Sequence, residues 1–181
     1  DSEEPLFQEM QLLTGKPVMY VCNVEEAAVV SGNDHVEKVK SMAAAEGAST
    51  LIIGAAIEAD IAELEDADER AMFLSDIGLE EPGVAKLIRS AYGLLNLQTY
   101  FTAGEKEVRA WTVKEGSTAP QAAGVIHTDF EKGFIRAEVM KYSDFVGLGS
   151  EQAVKEAGKL SVEGKEYIVQ DGDIMHFRFN V

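Results

Sequence analysis

The chain has 181 residues, 46% of them hydrophobic, enough for a sizeable core in one large domain or two small ones. Its 32 Asp and Glu against 16 Lys and Arg set a net charge of −16, which argues against a phosphate-binding surface such as one for DNA. No run of 18 apolar residues is present to span a membrane, the acidic opening Asp1-Ser2-Glu3-Glu4-Pro5 is not a secretory signal, and one cysteine builds no disulfide framework.

These absences fit a cytoplasmic protein, with Cys22 expected buried in a strand and reduced. The charge is uneven. Residues 1–95 hold 6 Lys/Arg against 19 Asp/Glu, and residues 96–181 hold 10 against 13. The first half is therefore strongly acidic and the second nearly balanced.

In chain order, residues 3–14 predict a helix with Leu6, Met10 and Leu13 on one face, stopped by Gly15. Val18 to Cys22 is apolar on both strand faces, the pattern of a parallel strand covered on both sides, and it ends at Asn23. Val36, Val39 and Ala43 recur at helical spacing before Gly47, a natural helix stop. Thr50 to Ala56 is a second apolar strand. Strand, helix and strand in this order imply a right-handed crossover with parallel strands, so Asn23 and Gly54-Ala55-Ala56 share one rim. Ligands in open α/β sheets sit at such carboxyl ends, which places Asn23 and Glu26 where a small molecule would be met.

From Ile57 to Asn96 the pattern is helical. The acidic run Glu63 to Glu69 reads as a solvated helix face and its turn rather than as paired carboxylates or a metal site, since no His or Cys accompanies it. Glu81-Pro82-Gly83 breaks the chain, and Val84, Leu87, Ile88, Ala91, Leu94 and Leu95 then mark an amphipathic helix. Its end sets a domain boundary at 95–98, dividing the chain into residues 1–95 and 96–181.

The second half is rich in strands. Leu97–Thr102 and Val108–Val113 flank Ala103–Lys106 as a hairpin. Residues 119–126 form a short helix with Pro120 in its first turn, and Phe134–Met140 a further strand. A small polar helix lies near 150–157. Tyr167–Val169 and Ile174–Val181 close the chain around the turn Asp171-Gly172-Asp173, with Met175, Phe177, Phe179 and Val181 on the inner face. Strands gripping one helix in about 85 residues describe an α+β, β-grasp fold.

No phosphate cradle is present. GxxxxGK[ST] occurs nowhere, and Asp144-Phe145-Val146-Gly147 fits DxxG in letters only. His35, His127 and His176 are scattered and make no catalytic arrangement with a nucleophile. No catalytic or metal-ligating residue is therefore assigned.

The segment from Gln98 to Val181 closely resembles the TGS domain, a ubiquitin-like β-grasp, of the Obg-like ATPases, the YchF family. The resemblance rests on Leu97-Gln98-Thr99-Tyr100-Phe101-Thr102-Ala103-Gly104, Glu107 to Thr112, Ala119 to Gly124, Ile126 to Glu138 and Tyr167 to Asp173. Asn23-Val24-Glu25-Glu26 resembles that family's NxxE variant of the guanine-reading NKxD motif, and Ala55 to Leu64 resembles its second base-contacting loop and following helix. Residues 1–95 thus look like the α/β remnant of a P-loop NTPase domain.

The resemblance implies that Asn23, Val24 and Glu26, with the backbone of Ala55, Ala56 and Ile57, bind a purine base. Glutamate in place of the guanine-reading aspartate loses the guanine lock, so the family looks like ATPases that also accept GTP. It implies a C-terminal portion of a ribosome-associated hydrolase using ATP or GTP with Mg²⁺, whose P-loop, switches and metal ligands would lie upstream. The portion alone is expected to be inactive and to hold no nucleotide tightly. The alternative is a module binding the ribosome or structured RNA through the TGS domain without catalysis, with Arg109, Lys132, Arg136 and His127 as contacts, blunted by Glu105, Glu107 and Glu131. His127-Thr128-Asp129-Phe130 reads equally as a plain helix-to-strand turn.

Overall fold

The computed structural model describes residues 4–104 and 107–180, apart from the side chains of Glu4, Pro5 and Gln8. Two compact units divide it, residues 1–95 and 96–181. Glu3 of the expected first helix, Glu105 and Lys106 of the hairpin turn, and Val181 of the last strand lie outside the described residues.

In the first unit, α1 covers Glu4–Glu9, shorter than the helix expected over 3–14. A turn follows with Gln11 at φ 49°, and Leu13–Gly15 forms a single 3-10 turn. Leu6, Met10 and Leu13 are 63%, 64% and 84% exposed, so no packing rewards continuation of the helical pattern.

Strand β1 (Met19–Asn23) pairs in parallel with β2 (Ser49–Ile53), Asn23 opposite Ile53. The connection is α2 (Asp34–Glu46), capped by Asn33, whose Oδ1 accepts from the N–H groups of His35 and Val36. Gly47 ends it in the left-handed conformation, φ 69°. The expectation that β1 is covered on both faces fails. Val21 is 44% exposed and Cys22 only half-buried, because a two-stranded sheet leaves β1 an open edge.

Three helices follow: α3 (Ala55–Glu63), α4 (Ala67–Asp76) and α5 (Gly83–Leu94). The acidic run spans the end of α3 and the start of α4. There Asp66 Oδ1 accepts from the N–H groups of Asp68 and Glu69, capping α4 at its positive end. The unit's core is Val29, Ile57, Ile61, Leu74 and Leu79, with Val24, Phe73 and Ile77 against it.

The second unit is a five-stranded mixed sheet in the order β4-β3-β7-β5-β6. Its strands are β3 (Leu97–Ala103), β4 (Val108–Lys114), β5 (Phe134–Lys141), β6 (Ser161–Glu163) and β7 (Asp173–Phe179). β3 and β7 run parallel, and the other neighbours antiparallel. Helix α6 (Ala119–Ile126) lies on one face. Its Ala119, Ala122 and Ala123 are fully buried, and the small side chains let it approach closely. Tyr100 donates its hydroxyl to Ala122 O at 2.8 Å, and burial raises its pKa above the usual phenol value.

The other face is covered at one end by α8 (Tyr142–Leu148) and α9 (Glu151–Glu156), around Met140, Val154 and Ile174. The expected strand Tyr167–Val169 is instead an extended loop with a single bridge, Ile168 to Thr118. Buried Asp173 fastens it, accepting from Lys141 Nζ (2.6 Å), Tyr167 Oη (2.7 Å) and Gln170 N (2.8 Å).

Between α6 and β5 a further short helix, α7 (Thr128–Lys132), occupies what the sequence shows only as a turn. Gly133 follows it, where a Cβ would come within 2.1 Å of Asn180 O. β5 then carries a bulge between Phe134 and Arg136. The extra residue, Ile135, puts Phe134, Ala137 and Val139 together in the α6-side core and turns Arg136 to the opposite face.

Candidate functional site

The carboxyl ends of β1 and β2 meet at one rim, as parallel pairing requires. Asn23 closes β1, and its Oδ1 accepts from Ala55 N at 2.9 Å, joining the two strand ends across 32 residues. Val24 N donates to Ile53 O at 2.9 Å, continuing the ladder one residue past β1. With its oxygen committed, the exposed Asn23 keeps the two hydrogens of Nδ2 as further donors. The structure therefore brings Asn23, Val24 and Ala55 together.

Glu26 begins a short 3-10 turn, Glu26–Ala28, and is exposed. Ala55 and Ala56 are exposed in the first turn of α3, whereas Ile57 is 3% exposed and its side chain belongs to the core. Of Ile57 only the backbone can face a ligand. Gly54 precedes the helix and supplies no side-chain cap, and the first N–H of α3, that of Ala55, is met by Asn23. Beside this rim a hollow of about 420 Å³ runs along β1, lined among others by Asn23, Val24, Asn33 and His35.

Sequence reasoning missed Glu58. Its carboxylate accepts from Gly83 N (2.6 Å, Oε1) and Val84 N (3.1 Å, Oε2), capping α5 from α3. The available signal was Pro82-Gly83, a helix start whose own residues carry no capping side chain.

In the second unit Arg109, His127, Lys132 and Arg136 are all exposed. Arg109 lies over the Trp111 ring, 4.0 Å from its centroid. Trp111 stands opposite Tyr100, which contacts α6, so Arg109 shares the α6 side of the sheet. Arg136 points to the other side, opposite Arg178, which Glu138 binds through two contacts. His127 and Lys132 bracket α7, and His127 Nδ1 accepts from Asp129 N at 3.1 Å. Arg109 and Arg136 therefore do not share one face.

Comparison with known proteins matches this architecture. The family model YchF-GTPase_C, described as a protein of unknown function, matches residues 97–180. The chain is 58% identical to the "Ribosome-binding ATPase YchF" of Haemophilus influenzae over 182 residues, covering 100% of this chain and 50% of that protein. It is 52% identical to the Bacillus subtilis protein of the same name over 183 residues, again 100% and 50%. The chain thus spans about half the length of these relatives. Among solved structures, the Schizosaccharomyces pombe YchF GTPase superposes with a TM-score of 0.83 at 37% identity, covering 98% of this chain and 47% of that one. A GTP-binding protein from Pyrococcus horikoshii, at 19% identity and a TM-score of 0.60, is alike in fold alone. Along the part of those proteins that it spans, about half of their length, the chain matches the YchF family.

Proposed function

We propose that residues 1–95 carry the purine-reading edge of a P-loop nucleoside triphosphatase and that residues 96–181 are its TGS domain, a β-grasp. The protein of full family length would be an ATP-preferring hydrolase that also accepts GTP and works at the ribosome. The observation that carries this reading is the bond from Ala55 N to Asn23 Oδ1. It joins two strand ends into one polar edge and leaves the amide hydrogens of Asn23 as its remaining donors.

The donor set suits adenine. Asn23 Nδ2 would donate to a ring nitrogen, and the Val24 carbonyl would accept from the exocyclic amino group. Glu26, exposed at the rim, replaces the shorter carboxylate that reads guanine. The backbone of Ala55, Ala56 and Ile57 would close over the base. Phosphate and Mg²⁺ would be held by the part of the relatives that this chain does not span. The relatives' name, "Ribosome-binding ATPase YchF", supports both the nucleotide and the partner.

A titration of the chain with AMP and with GMP, followed by backbone amide resonances, tests the site. Movement of Val24, Ala55 and Ala56 is expected, larger for AMP; a flat titration overturns the purine edge. The same chain incubated with Mg-ATP is expected to release no phosphate, and measurable turnover would overturn the division of labour.

A further inference from the structure

Glu58 touches no atom that the reading above places against a base, yet it fastens the turn that would close over one. Helix α5 begins after Pro82, which has no N–H to donate and no side chain to cap with. Its first donors, Gly83 N and Val84 N, are satisfied from 25 and 26 residues upstream by the two oxygens of Glu58. Gly83 is buried, and a Cβ there would meet Glu58 Oε1 at 2.8 Å and Ile53 Cγ1 at 2.9 Å. Any other residue there would crowd both side chains.

These contacts close a ring. Asn23 stands opposite Ile53 in the ladder, and Val24 bonds to its carbonyl. Ile53 lies against Gly83, Gly83 bonds to Glu58, and Glu58 is one helical turn from Ala55. Ala55 bonds back to Asn23. The ring contains Asn23 and Ala55 and reaches them from Gly83 through Ile53 on one side and Glu58 on the other.

We propose that Glu58 is a positioning residue for the purine site: by tying the first turn of α3 to the start of α5 it sets where Ala55 and Ala56 present their backbone. The inference rests on the reading of Asn23 and Ala55–Ile57 as the base-binding edge. A carboxylate has two acceptors for two donors, and its charge suits the N-terminal ends of both helices. Glutamine keeps one acceptor and loses the charge; alanine removes the link.

The test uses the ¹⁵N-labelled chain with Glu58→Gln and Glu58→Ala, read by amide hydrogen exchange, amide shifts and AMP titration. In Glu58→Ala, exchange at Gly83 and Val84 is expected to quicken about fivefold, the scale of a lost cap. The Ala55 and Ala56 resonances should move, and AMP should bind about fivefold more weakly. Glu58→Gln should restore part of all three. If Gly83 loses protection while Ala55, Ala56 and AMP affinity stay as in the parent, Glu58 is only a helix cap and the proposal fails. If AMP moves nothing in the parent chain, the purine reading fails. The positioning claim is then decided by whether Ala55 and Ala56 shift in the variants. Should Glu58→Ala not fold, Glu58→Gln decides by the same readouts.

Discussion

Residues 96–181 enclose Tyr100, Val139, Met140, Val154 and Met175 almost completely, whereas residues 1–95 leave Val18, Val21, Val30, Met42 and Met72 between 44% and 68% exposed. The reason is architectural. Five strands with α6 on one face and α8 and α9 over one end of the other bury two separate clusters of side chains. Two strands shield less, and the first unit adds directed polar contacts to its core of Val29, Ile57, Ile61, Leu74 and Leu79: Asn23 to Ala55, Val24 to Ile53, Glu58 to α5, Asp66 to α4. The candidate site sits on the unit that relies on hydrogen bonds. Small polar changes there should disturb geometry, while apolar truncations in the other unit should disturb stability.

The largest expected effect breaks the second core. Met175→Ala deletes a fully buried side chain and should cost about 2–5 kcal/mol. Trp111 is the chain's single tryptophan and packs against that core, so its fluorescence during urea unfolding reads the change. A matching truncation in the first unit, Leu74→Ala, should leave the Trp111 midpoint in place. An equal shift from both would end the contrast between separately built cores.

A middle effect sharpens the polar side of the comparison. Asp66→Ala removes the acceptor of two α4 N–H groups and should destabilise that helix by about 1 kcal/mol, seen as faster amide exchange at Asp68 and Glu69. The smallest effect depends on pH. The hydrogen bond from Arg178 holds the Glu138 carboxyl below its ordinary value, against the opposing pull of burial. Its stabilisation is therefore present above the usual carboxylate range and lost as pH falls through the lowered folded value. The stability difference between the parent and Glu138→Gln should be widest near neutrality and close in acid; a pH-independent difference would remove the ion pair from the account.

Much of this arrangement was legible because it is local. The apolar runs at Met19–Cys22 and Leu51–Ile53, separated by one helix, force a parallel pair and a shared rim. Gly47 marks the end of α2, and the spacing from Val84 to Leu95 draws α5 correctly. What was illegible depends on what lies across from a residue. Apolar strand β1 reads the same whether one or both sides are covered, so the half-exposure of Cys22 was missed. Helix α7 is five residues long, too short for a periodic signal. Tyr167–Val169 has strand composition but is organised by Asp173, whose burial no local pattern announces. In the candidate site Asn23 and Ala55 stood out by position at strand ends. Glu58 was hidden, since a glutamate on a helix that caps another helix 25 residues later looks like any solvated carboxylate.

Ile135 has a consequence for how this strand can vary. Because side chains alternate with a period of two, an extra residue in a regular strand would reverse every position after it; the bulge takes up Ile135 and keeps Phe134 in phase with Ala137 and Val139. Replacing Ile135, which is 53% exposed, should be tolerated. Deleting it would leave Phe134, Arg136, Ala137, Glu138 and Val139 in plain alternation on the faces they already hold, and would remove only the local bend. At this position the bulge makes the side-chain pattern insensitive to identity and length alike.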